Sequence, residues 1–201
     1  MQRKKEMRNI VDAIIEIVEA PKYRLKEYSE SHNRANQMGT ALEEYVKDLF
    51  AGTVGEKDPG KRNQKLSETF CYLGNQNNPP DSMLKNEGDA IEVKKIESSN
   101  AALPLNSSYP KAKLYSDSKM INNACRTCEH WTERDMLYVV GVLKDNMLES
   151  LVFLYGDLYC ETETSMSVSG TALGKEYWLF PISNSPTQRS SAGSTGLTRW
   201  E

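Results

Sequence analysis

Two segments near the N-terminus repeat apolar residues at helical spacing. The first places them on successive turns between residues 10 and 18, and Pro21 marks the end of that predicted helix. The second begins near Asn33 and ends before Gly52, with glutamate and lysine along its polar side. Its apolar positions are Met38, Ala41, Leu42, Tyr45, Val46, Leu49 and Phe50. The pattern therefore predicts a pair of amphipathic helices.

Short apolar runs bounded by turn residues predict strands further along the chain. One run covers residues 69–73, and the run 136–143 is the most apolar of the chain, which favours a central strand. Asp145 and Asn146 predict a turn that returns the chain over residues 148–155. We therefore expect the last two of these segments to be neighbours in one sheet.

The remaining segments complete the predicted organisation. Polar residues with Gly and Pro over 55–64 predict a loop, whereas a third helix is expected over 117–131. Strands mixed with helices indicate an α/β fold with a central mixed β-sheet flanked by helices. We predict an N-terminal helix and linker over 1–32, a core over 33–160 and an irregular tail over 161–201.

The pattern with the clearest chemistry precedes the predicted central strand. Asp81 follows two prolines, and Glu92 and Lys94 are separated by one residue within a short apolar run. Because side chains alternate along a strand, Glu92 and Lys94 point to the same face. A hairpin over 82–89, with turn residues from Asn86 to Asp89, would return Asp81 to that face. The two carboxylates could then hold Mg²⁺, and the lysine could stabilise charge or orient water during phosphodiester hydrolysis.

Each of these residues also has a simpler interpretation. Glu92 and Lys94 suit the solvated face of an edge strand, and Asp81 suits a turn after proline. Glu43, on the second predicted helix, is a candidate further ligand for the same metal. Glu44 fits that role equally well by periodicity, and either residue could be an ordinary solvated helix acid.

Cysteine and histidine offer weaker candidates. Cys125 and Cys128 form a C-x-x-C pair, and a zinc site with Cys71 and Cys160 is one interpretation. Because no second C-x-x-C pair occurs, reduced structural thiols are the favoured interpretation. Neither histidine, His32 nor His130, accompanies an obvious nucleophile, so Ser-His-Asp and Cys-His chemistry has no support.

Composition and charge fit a soluble globular protein and do little to choose its function. The 201 residues suffice for a domain with a core, and 38% hydrophobic with 26% charged residues suits that class. No apolar run approaches transmembrane length and no signal-peptide core is present, so a cytoplasmic location is expected. The net charge of −3 does not indicate a nucleic-acid binder, although a basic face can occur on an acidic protein.

Taken together, the motifs resemble the restriction-endonuclease-like core of type II restriction endonucleases of the PD-(D/E)XK superfamily. The similarity is greatest to the NgoPII-type group and covers about residues 10–160. The similar segments are residues 33–39, 42–46, 75–81, 92–97, 105–111, the spacing of Cys125, Cys128 and Trp131, and Tyr155-Gly156-Asp157.

The resemblance implies an Mg²⁺-dependent enzyme that cuts double-stranded DNA at a short palindrome, GGCC in the NgoPII-type group, and leaves 5′-phosphates. It implies a homodimer, because a palindrome matches two-fold protein symmetry, and a partner methyltransferase that protects host DNA. It assigns metal binding to Asp81 and Glu92. Lys94 would assist the attacking water or stabilise transition-state charge, and Glu43 would be the auxiliary acid.

The resemblance also suggests DNA contacts and leaves rival functions open. Asn106, Ser107 and Lys111 are expected to contact phosphates or a groove, whereas the base-reading residues are not assigned. One rival is a DNA-binding module that keeps the fold without cleavage. Another is a repair or mobile-element nuclease of the same superfamily.

The end of the chain departs from the family pattern. Members of the family continue through a different segment, whereas this chain closes with residues 191–201. A reading frame displaced by one base can convert one ending into the other, so we hypothesise a frameshift that removes the native C-terminal region. The catalytic core would then be intact, while DNA recognition or dimerisation would be at risk. The nucleotide sequence of the gene tests this hypothesis.

Overall fold

The computed structural model describes residues 8–22, 24–25, 34–98, 111–145, 147–160 and 180–181. The helices are α1 (Ile10–Glu19), α2 (Arg34–Ala51), α3 (Pro59–Thr69), α4 (Asn123–Arg126) and α5 (Gly156–Tyr159). The strands are β1 (Phe70–Tyr72), β2 (Ser82–Leu84), β3 (Ala90–Ile96), β4 (Lys113–Tyr115), β5 (Glu133–Lys144), β6 (Met147–Tyr155) and β7 (Phe180–Pro181). Within these ranges, no helix combines the length and apolar character needed to cross a membrane.

The first two predicted helices are confirmed. The side chain of Asn9 accepts a hydrogen bond from the backbone of α1, and the side chain of Asp12 accepts one from the backbone N–H of Asn9, which forms a capping box. One apolar side of α1, including Ala13, packs against α2. The longer α2 buries Leu42, Tyr45 and Leu49 beneath the sheet. Helical spacing in the sequence therefore identified both elements.

Two other predictions were wrong. Most of the predicted loop 55–64 belongs to α3, because Asp58 caps the helix and Pro59 suits its first turn. Its weak apolar pattern, with only Leu66 and Thr69 buried, explains the error. The predicted helix over 117–131 is reduced to α4, a single turn.

The sheet is mixed, as predicted for the fold class. Its order is β1-β2-β3-β5-β6-β7, and β4 pairs with β5 away from this path. β3 and β5 run parallel, while the other neighbouring pairs are antiparallel. β3 and β5 are therefore interior strands, and β5 and β6 form the predicted pair of neighbours.

Alternating residues of β3 and β5 face two different layers. Ile91, Leu137 and Val139 belong to the hydrophobic cluster that contains α2. Ala90, Met136 and Tyr138 belong to a second cluster on the other side of the sheet. The remaining buried members of this second cluster are Tyr72, Met83, Leu114, Ile121, Cys125, Trp131 and Cys160. We call these sides the helix face and the site face.

Candidate active site

The hairpin that carries the predicted site is present. β2 and β3 are antiparallel, with Ser82 opposite Ile91. The turn between them places Asn86 and Glu87 at φ values of 56° and 64°, the left-handed region that asparagine tolerates well. The backbone N–H of Leu84 donates to the carbonyl of Asp89 at 3.0 Å and closes the turn. Residues far apart in the pattern are thereby brought to adjacent strands.

Asp81 lies immediately before β2 and is held against β3. Its Oδ2 accepts a hydrogen bond from the backbone N–H of Val93 at 2.6 Å. Gly74 allows the chain to approach here, because an added Cβ would lie 2.2 Å from the Asp81 carbonyl oxygen. Burial, together with the nearby charges of Glu92 and Glu43, raises the pKa of Asp81 to about 8. A cation at this position would offset that crowding of negative charge.

Glu92 and Lys94 lie together on the site face of β3. The Lys94 Nζ donates to Glu92 Oε1 at 2.8 Å, and the two residues are only 8% and 5% exposed, respectively. Because β3 is an interior strand, the interpretation of both residues as a solvated edge pair is wrong. Even when two buried charges pair, their desolvation can cost more free energy than the pairing returns. The pair of Glu92 and Lys94 is therefore not explained by a gain in stability.

The structure separates Glu43 from Glu44, which periodicity left as equals. Glu44 accepts hydrogen bonds from Lys47 and from Arg62 of α3, both at 2.8 Å. Burial raises the pKa of Glu43, and the negative charges of Glu44 and Glu92 act in the same direction. Glu43 is therefore electrostatically coupled to the Asp81–Glu92 site, whereas Glu44 joins α2 to α3.

The donor set fits a hard divalent cation. Asp81 and Glu92 offer carboxylate oxygens from adjacent strands, and Mg²⁺ is commonly held by one or two carboxylates plus substrate phosphates. No group of three or more His, Cys, Asp or Glu side chains able to hold a metal occurs among the described residues. Two carboxylates would hold such an ion only in part, so its remaining ligands would be water and phosphate.

A small cavity opens beside Glu92 on the site face. Lys111 and Tyr138 line it together with Glu92, so one of the predicted DNA contacts lies near the candidate metal ligands. The other lining residues are Pro79, Leu114, Ser118, Met120 and Met136. Asn106 and Ser107 lie outside the described residues.

Comparison with known proteins assigns the chain that carries this candidate site to a family. The family described as NgoPII restriction endonuclease matches residues 8–169. Type II restriction enzyme NgoPII of Neisseria gonorrhoeae is 52% identical over 153 residues, which span 76% of this chain. The chain belongs to the NgoPII restriction endonuclease family.

The match covers more of this chain than of the NgoPII relative. The matched region is 54% of the Neisseria protein, so the chain spans about half the length of the relative. No solved structure matches the chain. Asp81, Glu92, Lys94 and Glu43 all lie within residues matched by the NgoPII family, and their assignment as site residues remains a prediction.

Sequence reasoning missed the hydrogen bonds that hold the turn of the hairpin between β2 and β3, which carries the candidate site. Arg134 on β5 donates to the carbonyl of Gly88 at 2.9 Å and to Glu129 at 2.7 Å. Glu129 in turn accepts from the backbone N–H of Asn86 at 3.0 Å. The sequence around Arg134, just before the predicted strand, does not indicate these partners, because one of them lies 46 residues away along the chain.

The cysteines lie on the site face without forming the imagined four-thiol arrangement. Cys125 and Cys160 are buried, whereas Cys71 and Cys128 are partly exposed. The Cys128 thiol donates to Cys71 Sγ at 2.7 Å, which connects β1 to the segment after α4. Burial raises the pKa of Cys71 and of Cys125. Buried thiols with raised pKa values are weak nucleophiles at neutral pH.

Proposed function

We propose that this chain is a type II site-specific deoxyribonuclease that hydrolyses double-stranded DNA at a short palindrome. The observation that carries the proposal is the grouping of partly buried Asp81 with the buried pair of Glu92 and Lys94 in a member of the NgoPII restriction endonuclease family. Magnesium is the proposed cofactor, and GGCC is the first target to test. The enzyme would act in the cytoplasm as part of a restriction-modification system.

Each side chain has a distinct part in the proposed reaction. Asp81 and Glu92 would supply oxygen ligands, and Glu43, whose negative charge helps to raise the pKa of Asp81, would be the auxiliary acid. Asp81 and Glu92 would hold the metal ion, which would supply Lewis-acid chemistry at the phosphate. Lys94, held by Glu92 at 2.8 Å, orients the attacking water or stabilises the negative charge of the transition state.

The proposed partners follow from the same activity. Two-fold symmetry of a palindrome favours a homodimer, and a methyltransferase of the same specificity would protect host DNA. Lys111 would contact a phosphate near the metal ligands, because it lines the cavity beside Glu92. Asn106 and Ser107 stay predicted DNA contacts. Gene context separates restriction from repair or mobile-element functions, since only restriction requires a neighbouring methyltransferase.

A plasmid cleavage assay with Mg²⁺ tests the proposal. The parent chain should produce discrete fragments from a plasmid that contains GGCC and none after addition of a chelator. Asp81→Ala and Lys94→Ala should abolish cleavage, while Lys95→Ala, which removes the neighbouring lysine, should retain it.

The possible results separate the proposed functions. Cleavage that survives in both Asp81→Ala and Lys94→Ala would contradict the assigned site. Specific DNA binding by a folded parent without any cleavage would instead identify a non-cleaving remnant. Cleavage at a different sequence would retain the activity and replace the target.

A further inference from the structure

Tyr138 lies at the centre of the site face, next to the candidate metal ligand. It pairs in register with Glu92 across the parallel strands β3 and β5, and it is 5% exposed. A buried tyrosine hydroxyl normally finds a hydrogen-bond partner, because leaving it unpaired costs free energy. The identity of that partner shows what the residue holds in place.

The hydroxyl of Tyr138 holds the backbone of Lys111. It accepts from the Lys111 N–H at 2.7 Å and donates to the Lys111 carbonyl at 3.3 Å. Both backbone polar groups of one residue are therefore engaged by a single side chain 27 residues away. These two hydrogen bonds fix the backbone position from which the Lys111 side chain extends.

A second close contact to Lys111 is made by Gly156, the residue that follows β6. An added Cβ on Gly156 would lie 2.1 Å from the Lys111 carbonyl oxygen and 3.0 Å from Ala112 Cα, so only glycine allows this approach. The preceding residue, Tyr155, donates from its hydroxyl to Asp89 Oδ2 at 3.0 Å. Neighbouring residues thus contact both the Lys111 segment and the hairpin that carries Glu92.

The location of Lys111 suggests why its backbone is anchored. Lys111 and Glu92 line the same cavity, so Lys111 lies beside one of the two candidate metal ligands. DNA brings a phosphate chain to such a site, and lysine is a common phosphate contact. A lysine on a poorly fixed segment would lose conformational entropy on binding, whereas an anchored backbone loses less.

We propose that Tyr138 is a positioning residue that, together with Gly156, holds Lys111 to bind a DNA phosphate beside Glu92. This inference rests on the proposed nuclease function. Tyr138 itself does not touch the DNA. Its removal should therefore affect DNA binding only through Lys111.

A double-mutant cycle on the full chain tests the inference. Binding of a GGCC duplex is measured across a range of salt concentrations for the parent, Tyr138→Phe, Lys111→Ala and the double variant. Loss of a phosphate contact should lower the slope of log affinity against log salt by about one in Lys111→Ala. Tyr138→Phe should move the slope in the same direction, and the double variant should bind no more weakly than Lys111→Ala. Cleavage by Tyr138→Phe should show a raised KM with little change in kcat.

A structural role alone would produce a different pattern. In that case Tyr138→Phe would lower thermal stability, its effect would add to that of Lys111→Ala, and the salt slope would stay at the parent value. This outcome overturns the inference. Gly156→Ala serves as a second variant, because its added Cβ would displace the Lys111 carbonyl, and Gly39→Ala, with nothing within 4 Å of its added Cβ, is its control.

The same data separate failure of the inference from failure of the function. A folded parent that neither binds nor cleaves duplex DNA would overturn the proposed nuclease and, with it, the role of Lys111. A parent that binds DNA while Lys111→Ala keeps the parent salt slope would overturn only the phosphate contact and its positioning by Tyr138.

Discussion

The helix face and the site face of the sheet are built from the same strands and differ sharply in content. On the helix face, Ile91, Leu137 and Val139 are fully buried among apolar side chains of α2. On the site face, Glu92 and Lys94 are almost as buried but carry charges. Adjacent residues of one strand therefore experience opposite environments.

This difference separates stability from chemistry. Apolar burial contributes favourable free energy of about 25 cal/mol per Å², so the helix face supplies stabilisation. Buried charges rarely repay their desolvation, so the site face is maintained for another reason. We infer that substitutions of apolar residues on the helix face change the free energy of unfolding, whereas substitutions of Glu92 and Lys94 on the site face change activity.

The largest expected effect comes from the two neighbouring lysines of β3. Lys94 pairs with buried Glu92, whereas Lys95 lies on the opposite side of the strand and pairs with exposed Glu97. Lys94→Met should reduce the cleavage rate by about 100-fold or more, because an electrostatic group at the reacting phosphate is lost. Lys95→Met should stay within about twofold of the parent. Single-turnover cleavage measures both, and equal losses would contradict the two-face distinction.

Overpacking of the helix face should cost stability without changing the chemistry. An added Cβ on Gly141 would lie 2.6 Å from Leu42 Cδ2, and Leu42 is fully buried. Gly141→Ala should therefore destabilise the fold by about 1–3 kcal/mol, measured by urea denaturation. Gly39→Ala, a glycine of α2 with open space, should be neutral or stabilising by up to about 1 kcal/mol.

A double variant tests the origin of that cost. If the Leu42 methyl groups cause the clash, combining Gly141→Ala with Leu42→Ala should cost less than the sum of the single changes. Additive costs would show that the loss arises elsewhere.

Substitutions of Glu43 and Glu44, the adjacent acids of α2, should likewise separate an effect on cleavage from an effect on stability, with smaller magnitudes. Glu43→Gln should slow cleavage by about tenfold as it removes a charge near the metal ligands, and it should not destabilise the fold. Glu44→Gln should leave cleavage unchanged and lower stability by less than about 1 kcal/mol, because it loses bonds to Lys47 and Arg62. A reversed pattern would place Glu44 in the site.

The pH dependence of stability offers a check on Glu44. Burial by itself would raise its pKa, but hydrogen bonds from Lys47 and Arg62 outweigh burial and lower the pKa below the ordinary 4.5. Its contribution to stability is therefore present above pH 4.5 and is lost as the pH falls below that value. The parent and Glu44→Gln should differ in stability at pH 7, and the difference should shrink as the pH falls below 4.5.

The smallest expected effect concerns the thiols of the site face. Diamide should link Cys71 and Cys128, since their sulfurs are 2.7 Å apart; both thiols lose hydrogen and the azo reagent is reduced. The reaction should be slow at neutral pH because burial raises the pKa of Cys71. Peptide mapping should find the link in Cys125→Ser and not in Cys128→Ser. A link through Cys125 would contradict the arrangement.

Local patterns predicted a large part of the fold and of the candidate site. Helical spacing identified α1 and α2, and alternation along β3 placed Glu92 and Lys94 on one face, as observed. Periodicity failed at α3, whose apolar stripe is thin, and over 117–131, where only α4 is helical. Weak or interrupted patterns lose to turn chemistry and tertiary contacts.

By itself, the sequence determined the motif, its family and the face that each residue of β3 presents, because these depend on neighbours along the chain. Tertiary structure alone decided which helix acid is coupled to the site, since Arg62 comes from another helix to engage Glu44. It also decided the anchoring of Lys111 by Tyr138, which depends on how β5 aligns with β3. Contacts between distant segments depend on strand register and helix docking, and neither is encoded in local periodicity.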